Sequence, residues 1–378
     1  MRTGLPLLEV RGGPREVGRQ HGRAARGRVA HNVALYLRRF ELEGGIDRAE
    51  IRRRAEAYRQ VIERENPAYA EEMAGIAEGA GVDPLDVVAV NVRYEILYTE
   101  FVRKGLEHPL ERVPEVGGCT SFAILPELSA NGHLLVGQNW DWIPDAQGLA
   151  VRARRDGLPA SLGFTEAGIA GAKIGLNDAG LGLAINGLVS DRDTWSRLKK
   201  PFHVRCWEVL ASRTLDDALR AVAGSPRSCS SNFLIAKAGT SSPEVVDLEL
   251  APDTERRLSP ESGFLCHANH FLDTDPLGIR QPLGQDRVST FHRYARMTAL
   301  LRGFSEAGKK IGVDDLKRIL RDHTNAPNSL CRHPMVERPE LERYGTVASA
   351  ILDVDAAEMW LAAGPPCESR YRRLALGG

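Results

Sequence analysis

The hydrophobic period of this chain changes near residue 119, and that change constrains its fold more than any other feature. Up to about residue 105 apolar side chains recur at helical spacing: Val17, His21, Ala24 or Ala25, Val29, Val33 and Leu37 fall on one stripe of REVGRQHGRAARGRVAHNVALYLRRF. A second helix is expected from Asp47 through DRAEIRRRAEAYRQVIERENP, and a third over DPLDVVAVNVRYEILY, with Asp83 as N-cap and Pro84 in the first helical position. The polar segment GLEHPLERVPEVGG then reads as an exposed linker. From Cys119 onward the apolar residues come in short extended runs. Strands are predicted over 161–166, 172–177, 181–188, 231–237, 244–250, 264–268, 346–353 and 357–362, and helices over 205–223, 287–303 and 314–322. Strands in runs with helices between the runs imply antiparallel sheets covered by helical layers, not a regular β-α alternation.

The 378 residues, 43% hydrophobic and 26% charged, suffice for one large domain or two ordinary ones. Fifty basic residues cancel fifty acidic ones, so no global field favours nucleic acid or an anionic membrane. The first residues lack the apolar core of a secretory signal and no apolar run is long enough to cross a bilayer, so the expected location is cytoplasmic. Six cysteines without paired spacing read as reduced thiols.

CTSFAILPEL and GHLLVGQNWDW flank Asn131-Gly132, the strongest short signal for a two-residue hairpin turn. Such a turn would set Pro126 opposite Gly137, a place for a bulge, and Asp141 opposite Phe122. Asp141 would then lie within three positions of Cys119, on a face that the pairing alone leaves open.

A free cysteine is ordinarily core filler, and that reading is kept for Cys206, Cys229, Cys266, Cys331 and Cys367. Cys119 differs in its setting, Gly117-Gly118-Cys119-Thr120-Ser121. Glycines permit backbone geometries that a Cβ resists, and the hydroxyls can donate to nearby carbonyls. This arrangement suits self-cleavage, in which the Cys119 thiol attacks the Gly118 carbonyl and water releases the resulting thioester. Cys119 would then carry a free α-amine of pKa about 7.7 to 8.0, able to act as base for its own thiol, with Asp141 orienting that amine.

REVGRQHG, GCTSF, GQNWDW, TEAGIAGAKIGLNDAGLGLAING, HANH and NSLCRH occur in that order along the chain. Together they resemble the isopenicillin N acyltransferase (acyl-coenzyme A:6-aminopenicillanate acyltransferase) family of N-terminal-nucleophile cysteine hydrolases. Bile-salt hydrolases and penicillin V acylases, whose mature chains also begin Cys-Thr, are remoter likenesses. The resemblance implies an α+β fold, a four-layer αββα sandwich of two antiparallel sheets between helical layers, preceded by an amino-terminal helical segment. It also implies self-cleavage into residues 1–118 and 119–378, which stay associated. Gly118 would be the scissile residue, Cys119 the nucleophile and Asp141 the carboxylate beside its amine, with Asn269 and Asn186 as oxyanion donors. Gln138-Asn139 follows the acyltransferase branch rather than the Gly-Arg-Asn of the bile-salt branch, whereas Gly117 stands where the fungal acyltransferase has Asp. Ser329 and Arg332 match the family's Ser-x-Cys-Arg and are candidate substrate-binding residues; Arg332 would clamp a substrate carboxylate or pair with an internal acid. The implied reaction is transfer or hydrolysis of the acyl group of a small-molecule amide or thioester, with a linear-amide or peptide amidohydrolase lacking transferase activity as the alternative. No cofactor is implied, with acyl-coenzyme A a candidate acyl donor, and no nucleic-acid or membrane partner.

Three other readings compete. Cys266, His267 and His270, and likewise His323, Cys331 and His333, are metal-binding types, but neither group has a zinc spacing, so no metal is assigned. A papain-like pair of Cys119 with His267 or His323 is opposed by the glycine-rich approach and the missing helix after the cysteine. A non-catalytic relative binding a small molecule in the same pocket is the third.

Overall fold

A computed structural model describes residues 5–107, 118–239, 243–282 and 288–377. The first part is a strand, β1 (Leu7–Gly12), followed by helices α1 (Pro14–Ala24), α2 (Arg26–Arg39), α3 (Arg48–Glu65), α4 (Pro67–Ala80), α5 (Pro84–Asn91) and α6 (Arg93–Glu107). The expected caps are in place, Asp47 accepting from the Glu50 amide and Asp83 from the Leu85 amide, both at 2.8 Å. Two of the expected helices are each broken once. Ala25 and Val92 leave helical geometry, giving α1 and α2, then α5 and α6. Most of the expected linker, residues 108–117, lies outside the described residues.

Glycines in REVGRQHG explain how α1 sits. A Cβ at Gly18 or Gly22 would collide with the α4 backbone at Glu72 and Ile76, and one at Gly75 or Gly79 would collide with that of α1 at Arg15 and Arg19. The four glycines let the two helices meet backbone to backbone. His21, on the same helix, is buried and accepts from the Gly168 amide at 3.2 Å.

The second part follows as β2 (Thr120–Ile124), β3 (Leu135–Trp142), β4 (Gly148–Arg155), β5 (Ser161–Glu166), β6 (Ile174–Asn177), β7 (Leu181–Gly187), α7 (Phe202–Ala211), α8 (Leu215–Ala223), β8 (Ser231–Lys237), β9 (Glu244–Leu250), β10 (Glu255–Leu258), β11 (Phe264–His267), α9 (Val288–Glu306), α10 (Val313–Leu320), β12 (Gly345–Asp353), β13 (Glu358–Ala363) and β14 (Arg372–Ala375). One sheet has the order β1-β4-β5-β6-β7-β8-β9-β10, the other β11-β2-β3-β12-β13-β14. Every pairing is antiparallel except β1 with β4. The sheets face each other where β2 and β3 pack on β7 and where β12 packs on β6. Helices α7 and α8 cover the outer face of the first sheet, α9 and α10 that of the second. The result is the αββα sandwich that the family resemblance implied. Its layers show in the burial pattern of β2, whose Ala123 joins the core between the sheets while Phe122 and Ile124 join Met297, Leu301, Leu316 and Leu320 under α9 and α10.

The hairpin differs from expectation. Asn131-Gly132 does turn, with Gly132 at φ 70°, but residues 125–134 form one long connection. The Leu125 amide donates to the Gly263 carbonyl, the Ala130 amide donates to the Ile311 carbonyl while the Leu128 carbonyl accepts from the Ile311 amide, and the Asn131 side chain bonds Ser129, His133 and Asp353. These anchors hold the chain too wide for a two-residue turn. The observed register pairs Phe122 with Gly137 and Ile124 with Leu135, four positions from the predicted one. Pro126 lies outside the ladder, and the register shift in this region falls on β12, between Thr346 and Ala348.

Candidate active site

The corrected register draws the candidate residues closer together. Continuing the β2–β3 ladder past Thr120–Asn139 sets Gly118 against Asp141 and Cys119 against Trp140, and the Gly118 amide donates to the Asp141 carbonyl at 3.4 Å. A slip of four preserves faces, since side chains alternate with period two. Cys119 therefore points with Ser121 and Ala123 between the sheets, while the Asp141 side chain leaves the other face. There its Oδ1 accepts from the Thr346 hydroxyl at 2.7 Å, and Thr346 accepts in turn from the Arg332 amide at 3.0 Å. Gly118 lies against this group: a Cβ there would come within 2.5 Å of the Arg332 guanidinium, 2.6 Å of Asp141 Cβ and 2.9 Å of Asp141 Oδ2.

On the inner face, Ser121 donates to Asn186 Oδ1 at 2.6 Å. Asn186, at the end of β7, is fully buried, and its Nδ2 has no hydrogen-bond partner among the described residues. Next to it, Gln138 links the sheets by donating to the Ile185 carbonyl and accepting from the Ile185 amide. Asn269 follows β11, whose register sets His267 against Ser121 and, two residues on, Asn269 against Cys119. Its Nδ2 donates to the Gly187 carbonyl at 3.0 Å and its Oδ1 accepts from Arg293 at 3.1 Å. Cys119, Asp141, Asn186, Asn269 and Arg332 are thus brought together around the Gly118–Cys119 bond. Ser329 instead turns to its own loop, its hydroxyl donating to the Cys331 carbonyl at 2.7 Å.

Cys119 is 4% exposed, and its sulfur lies 3.9 Å from the Asp141 carbonyl oxygen. Burial first, and then the Asp141 charge, push its thiol up to about 11, so it stays protonated at neutral pH. His267 is not its base. Both ring nitrogens are engaged, with Glu249 at 3.0 Å and the Ala268 carbonyl at 2.8 Å. Burial alone would lower the pKa of this imidazole, but the Asp247 and Glu249 carboxylates raise it. His323 belongs to a separate cluster behind Arg332.

Two residues of this neighbourhood escaped sequence reasoning. Arg293 on α9 is fully buried and donates to the Cys119 carbonyl at 2.5 Å and to Thr120 Oγ1 at 3.0 Å, so it ties the Cys119 backbone to Asn269. Lys173 is buried with its ammonium 3.4 Å from the centre of the Trp140 ring, the residue across from Cys119, and it pairs with Glu166, which also binds Arg93. Burial alone would raise the Glu166 carboxyl, but Arg93 and Lys173 hold it ionised, well below its ordinary range. A lysine inside an apolar strand run, AGAKIGLN, was the available signal for Lys173; nothing local marks Arg293.

A cysteine heading an inner strand of a four-layer αββα sandwich, with the bond before it packed against a carboxylate, defines the N-terminal-nucleophile class of acyl-handling hydrolases. Residues 128–368, more than half of the chain, match the family model for acyl-coenzyme A:6-aminopenicillanic acid acyl-transferase, and the chain belongs to that family. It is an enzyme of the acyl-transferring or amide-hydrolysing kind. Among curated proteins it is 28% identical over 330 residues to the 40 kDa form of acyl-coenzyme A:6-aminopenicillanic-acid-acyltransferase from Emericella nidulans, covering 86% of this chain and 84% of that protein. Among solved structures it is similar to a variant of conjugated bile acid hydrolase from Clostridium perfringens, with TM-score 0.48 and 14% identity over 68% of this chain and 93% of that one. It is also similar to a Caenorhabditis elegans N-acylethanolamine-hydrolyzing acid amidase ortholog, with TM-score 0.43 and 16% identity over 62% and 93% of the two chains.

Proposed function

We propose that the chain cuts itself between Gly118 and Cys119 and then transfers or hydrolyses the acyl group of a small-molecule amide or thioester through an acyl-Cys119 intermediate. In the cut, Cys119 Sγ attacks the Gly118 carbonyl carbon, the peptide nitrogen takes the proton and leaves as the α-amine of Cys119, and water opens the thioester to free the thiol and the Gly118 carboxylate. That amine, with its ordinary pKa of about 7.7 to 8.0, then takes the thiol proton when substrate is attacked. The Asp141 carboxylate, across the ladder from the scissile residue, orients the amine, and Arg332 beside Gly118 balances the carboxylate or the new terminus.

The observation that carries this reading is Asn186 Nδ2, a buried donor without a partner among the described residues, on the side chain that accepts from Ser121 on the same inner face as Cys119. Leaving such a group unsatisfied costs about 1 to 3 kcal/mol, a penalty recovered when an oxyanion forms there. Asn269 supplies the second donor, held in place by Arg293. Acyl-coenzyme A is a candidate acyl donor, and the acceptor is an amine or water. Residues 1–118 and 119–378 remain associated after the cut, and no separate cofactor is needed for these steps. The cytoplasmic location expected above belongs to the same proposal. Among the described residues no helix is long and apolar enough to cross a membrane.

The test is a denaturing gel with amino-terminal sequencing, followed by intact-mass analysis after incubation with acyl amides and acyl-coenzyme A thioesters. The expected result is a two-chain protein whose second chain begins at Cys119 and gains the acyl mass, with Cys119→Ala a single inactive chain. Normal cutting of Cys119→Ala overturns the reading.

A further inference from the structure

The cluster behind Arg332 is not used by the acyl chemistry. His323, Cys331 and His333 lie in the segment between α10 and β12, and Cys367 lies in the turn between β13 and β14. Sequence reasoning saw three of these residues and set them aside for their spacing. The fold supplies the fourth. One ligand atom from each lies within 4.8 Å of all the others. The Nε2 atoms of His323 and His333 are 3.1 Å apart and the two sulfurs 3.5 Å. His333 Nε2 lies 3.2 Å from the Cys367 sulfur and 3.9 Å from that of Cys331. A tetrahedral zinc ion with Zn–S of about 2.3 Å and Zn–N of about 2.0 to 2.1 Å demands edges of about 3.8 Å for S···S, 3.3 Å for N···N and 3.5 Å for S···N. Four of the six separations stand within about 0.4 Å of these edges, and the two from His323 to the sulfurs are no longer than 4.8 Å.

Two surrounding features strengthen the match. The Nδ1 atom of His333 faces the Glu368 carboxylate at 3.1 Å, the outer partner that fixes a ligating imidazole with its other nitrogen toward the metal. The Cys331 amide donates to the Asp322 carbonyl at 3.0 Å and the Arg321 side-chain Nε donates to the Pro366 carbonyl at 2.9 Å, so hydrogen bonds close the loop on both sides of the cluster. Cys331 is buried while His323 and Cys367 are exposed, which leaves an approach from solvent.

We infer that His323, Cys331, His333 and Cys367 form a structural zinc site that staples the α10–β12 segment to the β13–β14 turn. Two cysteines and two histidines suit a borderline-soft divalent ion, and four protein ligands leave no open position for substrate or water. On binding, the two thiols lose their protons to solvent and bind as thiolates. Arg332 stands between two of the ligands, Cys331 and His333, so the ion would hold its backbone from both sides while its guanidinium rests against Gly118. Metal binding itself does not depend on the acyl-transfer reading.

The experiment uses the full chain, produced in zinc-supplemented medium and purified without chelator. Elemental analysis should find about one zinc per chain, falling at least tenfold in Cys367→Ser and in His323→Ala. Chelator-stripped wild type titrated with cobalt(II) should develop thiolate-to-cobalt charge transfer and the intense visible bands of tetrahedral cobalt, saturating at one equivalent and erased by zinc. That measurement stands even if the variants fail to fold. Wild type without zinc and without the cobalt spectrum overturns the inference, as does zinc retained at full stoichiometry in both variants. A Cys331–Cys367 disulfide in place of bound metal overturns it too.

Discussion

Gly118 and Asn186 show how narrowly single residues define this site. In Gly118→Ala the new Cβ has no room between Asp141 and Arg332, and the backbone beside the Gly118–Cys119 bond must shift to admit it. We expect that variant to accumulate as a slowly cutting precursor, followed on a gel over hours, with its circular dichroism unchanged. Asn186→Ala removes the orphaned donor and the acceptor of the Ser121 hydroxyl. Its kcat/KM should fall by about 10²- to 10³-fold, the usual cost of losing one oxyanion donor, with a much smaller change in thermal stability. An equal loss in both quantities would mark Asn186 as a structural residue. Much of the candidate site was legible in the sequence because Gly-Cys-Thr-Ser, Asn-Trp-Asp and His-Ala-Asn-His are short local signals. Arg293 and Cys367 were not, since each acquires meaning from partners brought close only by the fold: Cys119 and Asn269 for the one, His323 and His333 for the other.

Among the elements, the strands over 161–166, 231–237 and 244–250 match expectation residue for residue, because apolar alternation bounded by turn residues is a local property. The helix expected over 205–223 divides in two, where Thr214 caps α8 by accepting from the Asp217 amide at 3.1 Å. Strands β1, β4, β10 and β14 carry many charged residues, as LLEVRG, GLAVRARR, ERRL and RRLA show, and were missed for that reason; α4 falls within the region of helical spacing but was not set apart from the run that ends at its proline. Helix α6 carries a test of its own. Glu95 is buried with Oε1 accepting from the Phe202 amide at 2.7 Å, while Oε2 has no hydrogen-bond partner among the described residues. Burial raises its carboxyl from 4.5 to about 7. A folded-state pKa above the unfolded one means stability that is complete below about pH 4.5 and lost as pH climbs toward 7. Glu95→Gln, which keeps the shape and removes the titration, should lose less stability over that interval in denaturant melts, by up to a few kcal/mol. Parallel pH profiles for the two proteins would refute the protonated carboxyl.

At the scale of the whole molecule, the two parts of the chain share one core. The buried set running through α1 to α6 is continuous with the residues between the two sheets. β1 pairs in parallel with β4 along Leu7–Gly12, and His21 receives the Gly168 amide. Residues 119–378 produced alone would leave the β4 edge, the Gly168 amide and the faces under α1 to α6 uncovered. We expect that fragment to be insoluble, and co-production with residues 1–118 to restore less soluble enzyme than the intact gene; comparison of soluble yields checks this. A soluble, active fragment would show that the helical segment is dispensable.

The parallel strand at the sheet's edge has a further consequence if the chain cuts itself as proposed. Tethered, β1 reaches β4 as a neighbour on its own polymer; severed, it is a second molecule whose docking depends on dilution. The mature enzyme would then inherit its one-to-one pairing from a single translation event, and after full denaturation its recovery should vary with protein concentration where that of the uncut Cys119→Ala chain does not.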